Sequence, residues 1–291
     1  MKGFINIGNT CYLNSGLQML IQNEELCSLI MKHASNSPIL QKISNFIMEY
    51  YSPDSKPIAP IEIKKIVEQK QDIFLGFGQQ DSTEFIIYLL DTIDEEIKKA
   101  DPNSKGVEPI FGINFNVRIK CKLRSCLQVY ARKEVNNFLL LDIDSKCKSL
   151  DDAYRMYKGS DKLESDNKYF CEKCNDKRIA SKRSEIAEWP KYLFVWLKRY
   201  SQEGRRIMKN TQPITIDKEW RHANSLQGAV IHSGGLNGGH YVYIGKHNPP
   251  GGSCKWYLYN DSSVSEIESE EQLDSMLSNA YWLCYKKQET I

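Results

Sequence analysis

Between residues 12 and 100 the hydrophobic positions recur every three or four residues. Leu13, Leu17, Leu20 and Ile21 form one group, Ile39, Ile43, Phe46, Ile47 and Tyr50 a second, and Ile86, Leu89, Leu90, Ile93 and Ile97 a third. That spacing puts each group on one face of a helix, so the stretch predicts several amphipathic helices. Pro53, Pro57 and Pro60 separate them, and Pro60 stands where a proline opens a helix over 61–69. Past Asp101 and Pro102 the period changes to two. In GINFNVRIK, Ile113, Phe115, Val117 and Ile119 alternate with polar residues, which predicts a half-buried strand ending at Cys121. Further strand-like runs cover 138–143, 192–200, 226–232, 240–245, 256–259 and 281–285. Helices first and strands afterwards predict an α+β chain rather than alternating βαβ units.

Composition narrows the class. A chain of 291 residues that is 41% hydrophobic can bury one large core or two smaller ones, and it shows no repeat or low-complexity tract. It reads as one continuous catalytic or binding unit. The 39 basic and 37 acidic residues nearly cancel, which leaves no electrostatic footprint for nucleic acid or a membrane surface. The longest apolar run, Tyr192 to Leu197, is far too short to cross a bilayer. Nine cysteines, an odd number in a chain too long to need disulfide staples, suggest a reducing compartment, cytoplasmic or nuclear. No nucleic-acid or membrane partner is expected, and the chain is expected to be monomeric.

Candidate chemistry begins at Cys11, which follows Gly8, Asn9 and Thr10 and opens the first helical group. Those three residues supply turn and cap chemistry, and the positive end of a helix favours the thiolate, the nucleophilic form. Taken alone, a buried core thiol is the favoured reading of such a cysteine, and partners elsewhere must decide it. In HSGGLNGGHYVYI, His240 follows glycines at 234, 235, 238 and 239, a loop that permits close backbone approach. Histidine is the side chain best suited to accept a thiol proton near neutral pH. His232 lies at the other end of the loop. About twenty residues beyond His240, Asn260 and Asp261 end an aromatic strand, where either could orient an imidazole, although Asn-Asp-Ser-Ser is also ordinary turn chemistry. The order Cys, His, Asn is that of papain-like enzymes.

These residues carry a resemblance. GFINIGNTCYLNSGLQML resembles the cysteine box of the ubiquitin-specific proteases, and GGHYVYI with YNDSSV resembles their histidine box. GQQDSTEFIIYLL is similar to the family's QQDAxEF helix, and WPKYLFVWLKRY to its P-x-x-L-x-x-x-L-K-R-F strand. The resemblance implies a papain-like α+β fold with a helical thumb near 1–105, mainly fingers over 106–190 and mainly palm over 191–291. It implies a deubiquitinase in which Cys11 is nucleophile, His240 general base and Asn260 its orienting partner. Adjacent Asp261 assists, and Asn6 falls where the family places an oxyanion-hole amide. Asp81 is expected to pair with the basic tail of ubiquitin, and Gln79, Tyr200 and Tyr241 match other channel positions. Tyr200 replaces the family's usual Phe. The implied partners are ubiquitin and ubiquitinated proteins, and no cofactor is expected in the chemistry. With the cysteine box starting almost at Met1, no targeting or adaptor domain is expected ahead of it.

The remaining feature resembles a metal site. Cys171 and Cys174, in YFCEKC, have the spacing of a zinc knuckle, and Cys121 with Cys126 could supply the other pair for one structural zinc. The family's first pair has two residues between its cysteines; here 122–125 put four, and Arg124 stands where the second ligand is expected. A decayed site is therefore the competing expectation. Two other functions compete with the protease: a catalytically silent ubiquitin-binding module or a protease for a ubiquitin-like modifier. A zinc-finger nucleic-acid binder is disfavoured by the balanced charge.

Overall fold

The helical periodicity is realised in α1 (Cys11–Ile21), α2 (Glu24–His33), α3 (Pro38–Tyr50), α4 (Ile61–Lys70) and α5 (Ser82–Ala100), followed by a short α6 (Glu108–Phe111). The computed structural model describes residues 1–203, 206–235, 238–247 and 252–288. Asn23, Ser37 and Asp81 cap α2, α3 and α5 by accepting backbone N–H groups in their first turns. Pro60 is the residue immediately before α4, as its spacing predicts.

One helix departs from expectation. Instead of showing an amphipathic surface, α1 is buried on every side. Its polar residues are used internally: Gln18 donates to the Lys2 carbonyl and accepts from the Tyr50 hydroxyl, and Asn14 donates to the Asp261 carboxylate. These hydrogen bonds let a helix with a polar face occupy the centre of the molecule, with Asn14 Oδ1 left buried without a partner among the described residues.

The strands are β1 (Ile113–Cys121), β2 (Val129–Asn136) and β3 (Leu139–Asp142), then α7 (Leu150–Tyr157), β4 (Asp161–Leu163), β5 (Tyr169–Cys171), β6 (Asp176–Arg178), β7 (Ala180–Glu188) and β8 (Tyr192–Lys198). After these come β9 (Tyr200–Glu203), β10 (Arg206–Lys209), β11 (Glu219–Trp220), β12 (Asn224–Gly234), β13 (Gly239–His247), β14 (Lys255–Asn260), β15 (Ser263–Glu266), α8 (Glu270–Leu277) and β16 (Ala280–Lys286). A large sheet runs β15-β14-β13-β12-β16-β8-β3, antiparallel except for the β3–β8 pair. A separate four-stranded sheet runs β2-β1-β7-β4, with the β5–β6 hairpin beyond it. β3 therefore belongs to the large sheet although it lies within the 106–190 stretch expected to be mainly fingers.

The run expected as one strand over 192–200 is two, broken at Arg199. Its guanidinium turns inward and donates to the carbonyls of Ala280, Asn210, Gln212 and Ser278. A buried cation with that many neutral acceptors pins the end of β8 to the turn before β16.

Alternation along the large sheet divides the core. Tyr192 and Phe194 face the helices together with Tyr243, Trp282 and Cys284. Leu193, Val195, Leu197 and Leu283 face the other way, joining Phe115 and Val117 of β1. The helical layer is tied to the sheet by a hydrogen bond from Trp282 Nε1 to Thr83 Oγ1 at 3.0 Å.

Candidate active site

Cys11 is the first residue of α1, reached through a turn in which Gly8 and Asn9 have φ of 118° and 52°. Thr10 stands at the N-cap but makes no side-chain cap; its hydroxyl accepts from the Ile7 N–H instead. The thiol is 5% exposed. Burial, reinforced by the Asp261 charge, pushes its pKa above the ordinary 9.0, while the backbone N–H groups of Tyr241, Tyr12 and Cys11 pull the other way. The sequence-based expectation is a thiol acidified at its helix start; in this structure burial is the largest influence and acts in the opposite direction.

His240 sits at the start of β13, and its Nε2 is 2.6 Å from Asn260 Oδ1 at the end of β14. The two strands are direct neighbours, as the proposed pairing requires. An amide oxygen accepts, so Nε2 carries the hydrogen and Nδ1 is free to take up a proton. Among the described residues Cys11 makes no hydrogen bond to His240. Asn6 Oδ1 accepts from the N–H groups of Gly8 and Thr10, and its Nδ2 donates to Asp261 Oδ2 at 2.9 Å.

Asp261 follows Asn260 with a positive φ of 50°, in the tight turn between β14 and β15. Its carboxylate holds Asn6 and, at 2.7 Å, Asn14, while its carbonyl accepts from the Phe4 N–H. Asp261 thus fixes the candidate oxyanion amide; no hydrogen bond to His240 is present among the described residues. Asn14 was not singled out in the sequence. The available signal was a polar side chain three residues after Cys11, which helical spacing places near the thiol.

Across the cleft, Asp81 caps α5 through the Thr83 N–H and accepts from the Tyr241 hydroxyl at 3.2 Å. Its expected functional position and its helix-capping role coincide. Gln79 reaches the same strand: its side-chain amide contacts the Gly239 carbonyl at 3.4 Å and accepts from the Gly239 N–H at 3.3 Å. Tyr200 opens β9 and packs on Tyr281. Asp81 and Gln79 thus both contact β13, the strand that carries His240, and Tyr241 also meets Tyr281 edge-on. Leu236 and Asn237 of the glycine loop lie outside the described residues.

At the far end of the four-stranded sheet the sulfurs of Cys121, Cys126, Cys171 and Cys174 all lie within 4.8 Å of one another. Zinc bound tetrahedrally at about 2.3 Å places its sulfurs about 3.8 Å apart, and Cys126 and Cys171 are separated by 3.7 Å. The set fits a structural zinc. The longer first knuckle closes because the Cys126 and Leu127 N–H groups both return to the Leu123 carbonyl, with Leu127 at φ 49°. Arg124 lies inside that turn and is not needed as a ligand position.

A model of the ubiquitin carboxyl-terminal hydrolase family matches residues 2–285. The chain belongs to that family. Among curated members it is 28% identical over 330 residues to ubiquitin carboxyl-terminal hydrolase Usp2 of Drosophila melanogaster, covering 98% of this chain and 34% of that protein. To ubiquitin carboxyl-terminal hydrolase 4 of Arabidopsis thaliana it is 28% identical over 347 residues, covering 98% of this chain and 92% of the relative. The chain thus spans about a third of the fly relative and nearly all of the plant one. A solved structure of the SAGA DUB module of Ubp8, Sgf11, Sus1 and Sgf73 bound to monoubiquitin superposes with a TM-score of 0.77 at 25% identity, over 100% of this chain and 70% of that one. A second structure of the module, bound to ubiquitin aldehyde, gives 0.76 at 24% identity, again over 100% of this chain and 70% of that one. Family membership and fold agree with the papain-like α+β reading.

Proposed function

We propose that this chain is a deubiquitinase that hydrolyses the isopeptide or peptide bond after the C-terminal glycine of ubiquitin. The observation that carries the reading is the convergence of three separate segments: the Cys11 turn, the His240–Asn260 pair, and Asn6 held by Asp261. In this reading the three structural regions are a thumb (1–105), mainly fingers (106–190) and mainly palm (191–291), and the cysteine chemistry belongs in a reducing, cytoplasmic or nuclear setting.

His240 Nδ1 takes the Cys11 proton as the sulfur attacks the carbonyl carbon of the terminal glycine. Negative charge on the carbonyl oxygen is met by the second Nδ2 hydrogen of Asn6 and the Cys11 backbone N–H, each such donor being worth about 3 kcal/mol. Collapse of the tetrahedral species breaks the C–N bond, and His240 returns its proton to the departing amine. Water, deprotonated by the same imidazole, then cleaves the thioester and releases the ubiquitin carboxylate. Asn260 keeps the ring oriented throughout. The Asp81 carboxylate pairs with the basic tail, and the narrow passage beside Gly239 favours glycines over larger side chains. Zinc supplies no chemistry here; bound by its four thiolates it would hold the fingertip together.

Raised thiol pKa and the absence of a Cys11–His240 hydrogen bond describe the free enzyme, and such contacts commonly tighten only when substrate is bound. The deciding experiment is exposure to ubiquitin bearing a C-terminal alkyne electrophile. A covalent adduct abolished by Cys11→Ala is expected. Failure of the folded protein to form one, alongside ubiquitin binding, would identify a silent module, while adduct formation with a ubiquitin-like modifier alone would move the substrate.

A further inference from the structure

His232 has no part in the mechanism above, yet it is buried on β12, the strand paired with the one that carries His240. Lys209, the last residue of β10, reaches it. Its Nζ lies 2.9 Å from His232 Nδ1, 2.6 Å from the Gly234 carbonyl oxygen and 3.5 Å from the His232 carbonyl oxygen. An ammonium only donates, so Nδ1 accepts and His232 is the neutral tautomer with its hydrogen on Nε2. Burial, with the charges of Lys209 and His240 behind it, holds this imidazole down to about 4.

The rest of the ring is as closely confined. A Cβ at Gly239 would come within 2.2 Å of His232 Nε2, so only glycine admits the imidazole there. The ring lies against Tyr241 at 4.3 Å between centroids, and meets Tyr281 edge-on. The Tyr200 hydroxyl is 3.4 Å from Nδ1.

Strand register gives this cluster its meaning. In the β12–β13 hairpin His232 pairs with Tyr241, Ser233 with His240 and Gly234 with Gly239. The two residues held by Lys209 flank the one whose partner is His240. Gly234 has a φ of 115° and its neighbours across the hairpin are glycines, so this end of the ladder has little stiffness of its own. Charge-assisted hydrogen bonds, roughly twice as strong as neutral ones, supply what the glycines lack.

We propose that Lys209 is a positioning residue for the hydrolytic site: an ammonium clamp, with neutral His232 as its required acceptor, that sets where the hairpin presents His240 and the Tyr241 wall. The inference rests on the hydrolase reading of that site. Two substitutions separate the clamp from simple packing. His232→Phe keeps an aromatic ring but removes the acceptor, whereas His232→Asn loses the ring and places an amide oxygen where Nδ1 was. Packing alone would favour Phe; the clamp favours Asn.

In the full chain, Lys209→Met is expected to lower kcat on a fluorogenic ubiquitin amide about 10- to 100-fold, the scale of a misplaced catalytic group. Ubiquitin affinity in a Cys11→Ala background should change far less. His232→Phe should lose as much as Lys209→Met, the double variant no more than either single one, and His232→Asn should keep more activity than His232→Phe. Undiminished kcat in Lys209→Met, multiplied losses in the double variant, or the reverse order of the two His232 variants would overturn the clamp. Histidine ring nitrogen NMR reads the same clamp without substrate. At pH 7 His232 should be protonated on Nε2 alone, and Lys209→Met should shift the His240 signals. A charged His232 or the other tautomer overturns the proposal, even if Lys209→Met fails to fold. The expected spectra in a chain with no hydrolytic activity would sink the hydrolase reading and leave the clamp standing.

Discussion

Asp261 shows how a side chain singled out by its place in the sequence acts through partners the sequence does not reveal. Its place beside Asn260 suggested help for His240, but its carboxylate is spent on Asn6 and Asn14. The difference was invisible in the sequence because Asn6 and Asp261 are 255 residues apart, and no local period reports such a contact. Cys11, His240 and Asn260 were legible because each stands at a change of local pattern: turn into helix, glycine loop into strand, strand into turn. The energetic state of Cys11 was not legible, since a helix start is local while burial depends on everything packed around it. Asn6→Ala should lower kcat by about 100- to 1,000-fold, the usual cost of one oxyanion donor, with ubiquitin binding by the Cys11→Ala, Asn6→Ala protein nearly unchanged. Stopped-flow assays and fluorescence polarisation check the two halves, and an equal loss in binding would remove Asn6 from the oxyanion role.

At the scale of elements, the legible strands were those with one apolar face. β1 alternates cleanly and was foreseen to Cys121; β2, exposed along most of its length, and the mixed β7 were not. Their pairing is dictated by β1, which lies between them, so tertiary context rather than propensity makes them strands. The metal knuckles were legible as cysteine pairs, while the irregular spacing of the first required the Leu123 turn to be seen. Because β4, β5 and β6 are only three residues each, the four-cysteine end of this region is expected to depend on its sulfurs. Chelation, or Cys126→Ser, should lower the melting temperature and expose the four-cysteine end to proteolysis before kcat on a small ubiquitin amide changes. Scanning calorimetry beside activity measures this; lost activity with an unaltered melt would contradict a structural zinc.

For the molecule as a whole, His232 couples stability to pH. Its folded value, about 4, is below the ordinary 6.5, so the folded state binds a proton less readily than the unfolded chain. Above 6.5 the ring is neutral in both states and contributes no slope. Between 6.5 and about 4 the unfolded chain protonates first and stability falls; below about 4 the loss is complete. His222, pushed down by burial and by Arg221, acts in the same direction. Urea titrations across it should show a smaller slope in His232→Asn than in the parent, and an unchanged slope would remove His232 as a source. The turn at Asp261 has a consequence for how the protein is made. It accepts the Phe4 N–H and holds Asn6, so the segment just ahead of Cys11 is completed by a turn translated 255 residues later. A nascent chain short of that turn carries Cys11 but lacks the carboxylate that anchors the Asn6 amide. The candidate nucleophile is therefore translated well before the turn that fixes Asn6, and a chain cut short of Asp261 is expected to form no adduct with a ubiquitin electrophile.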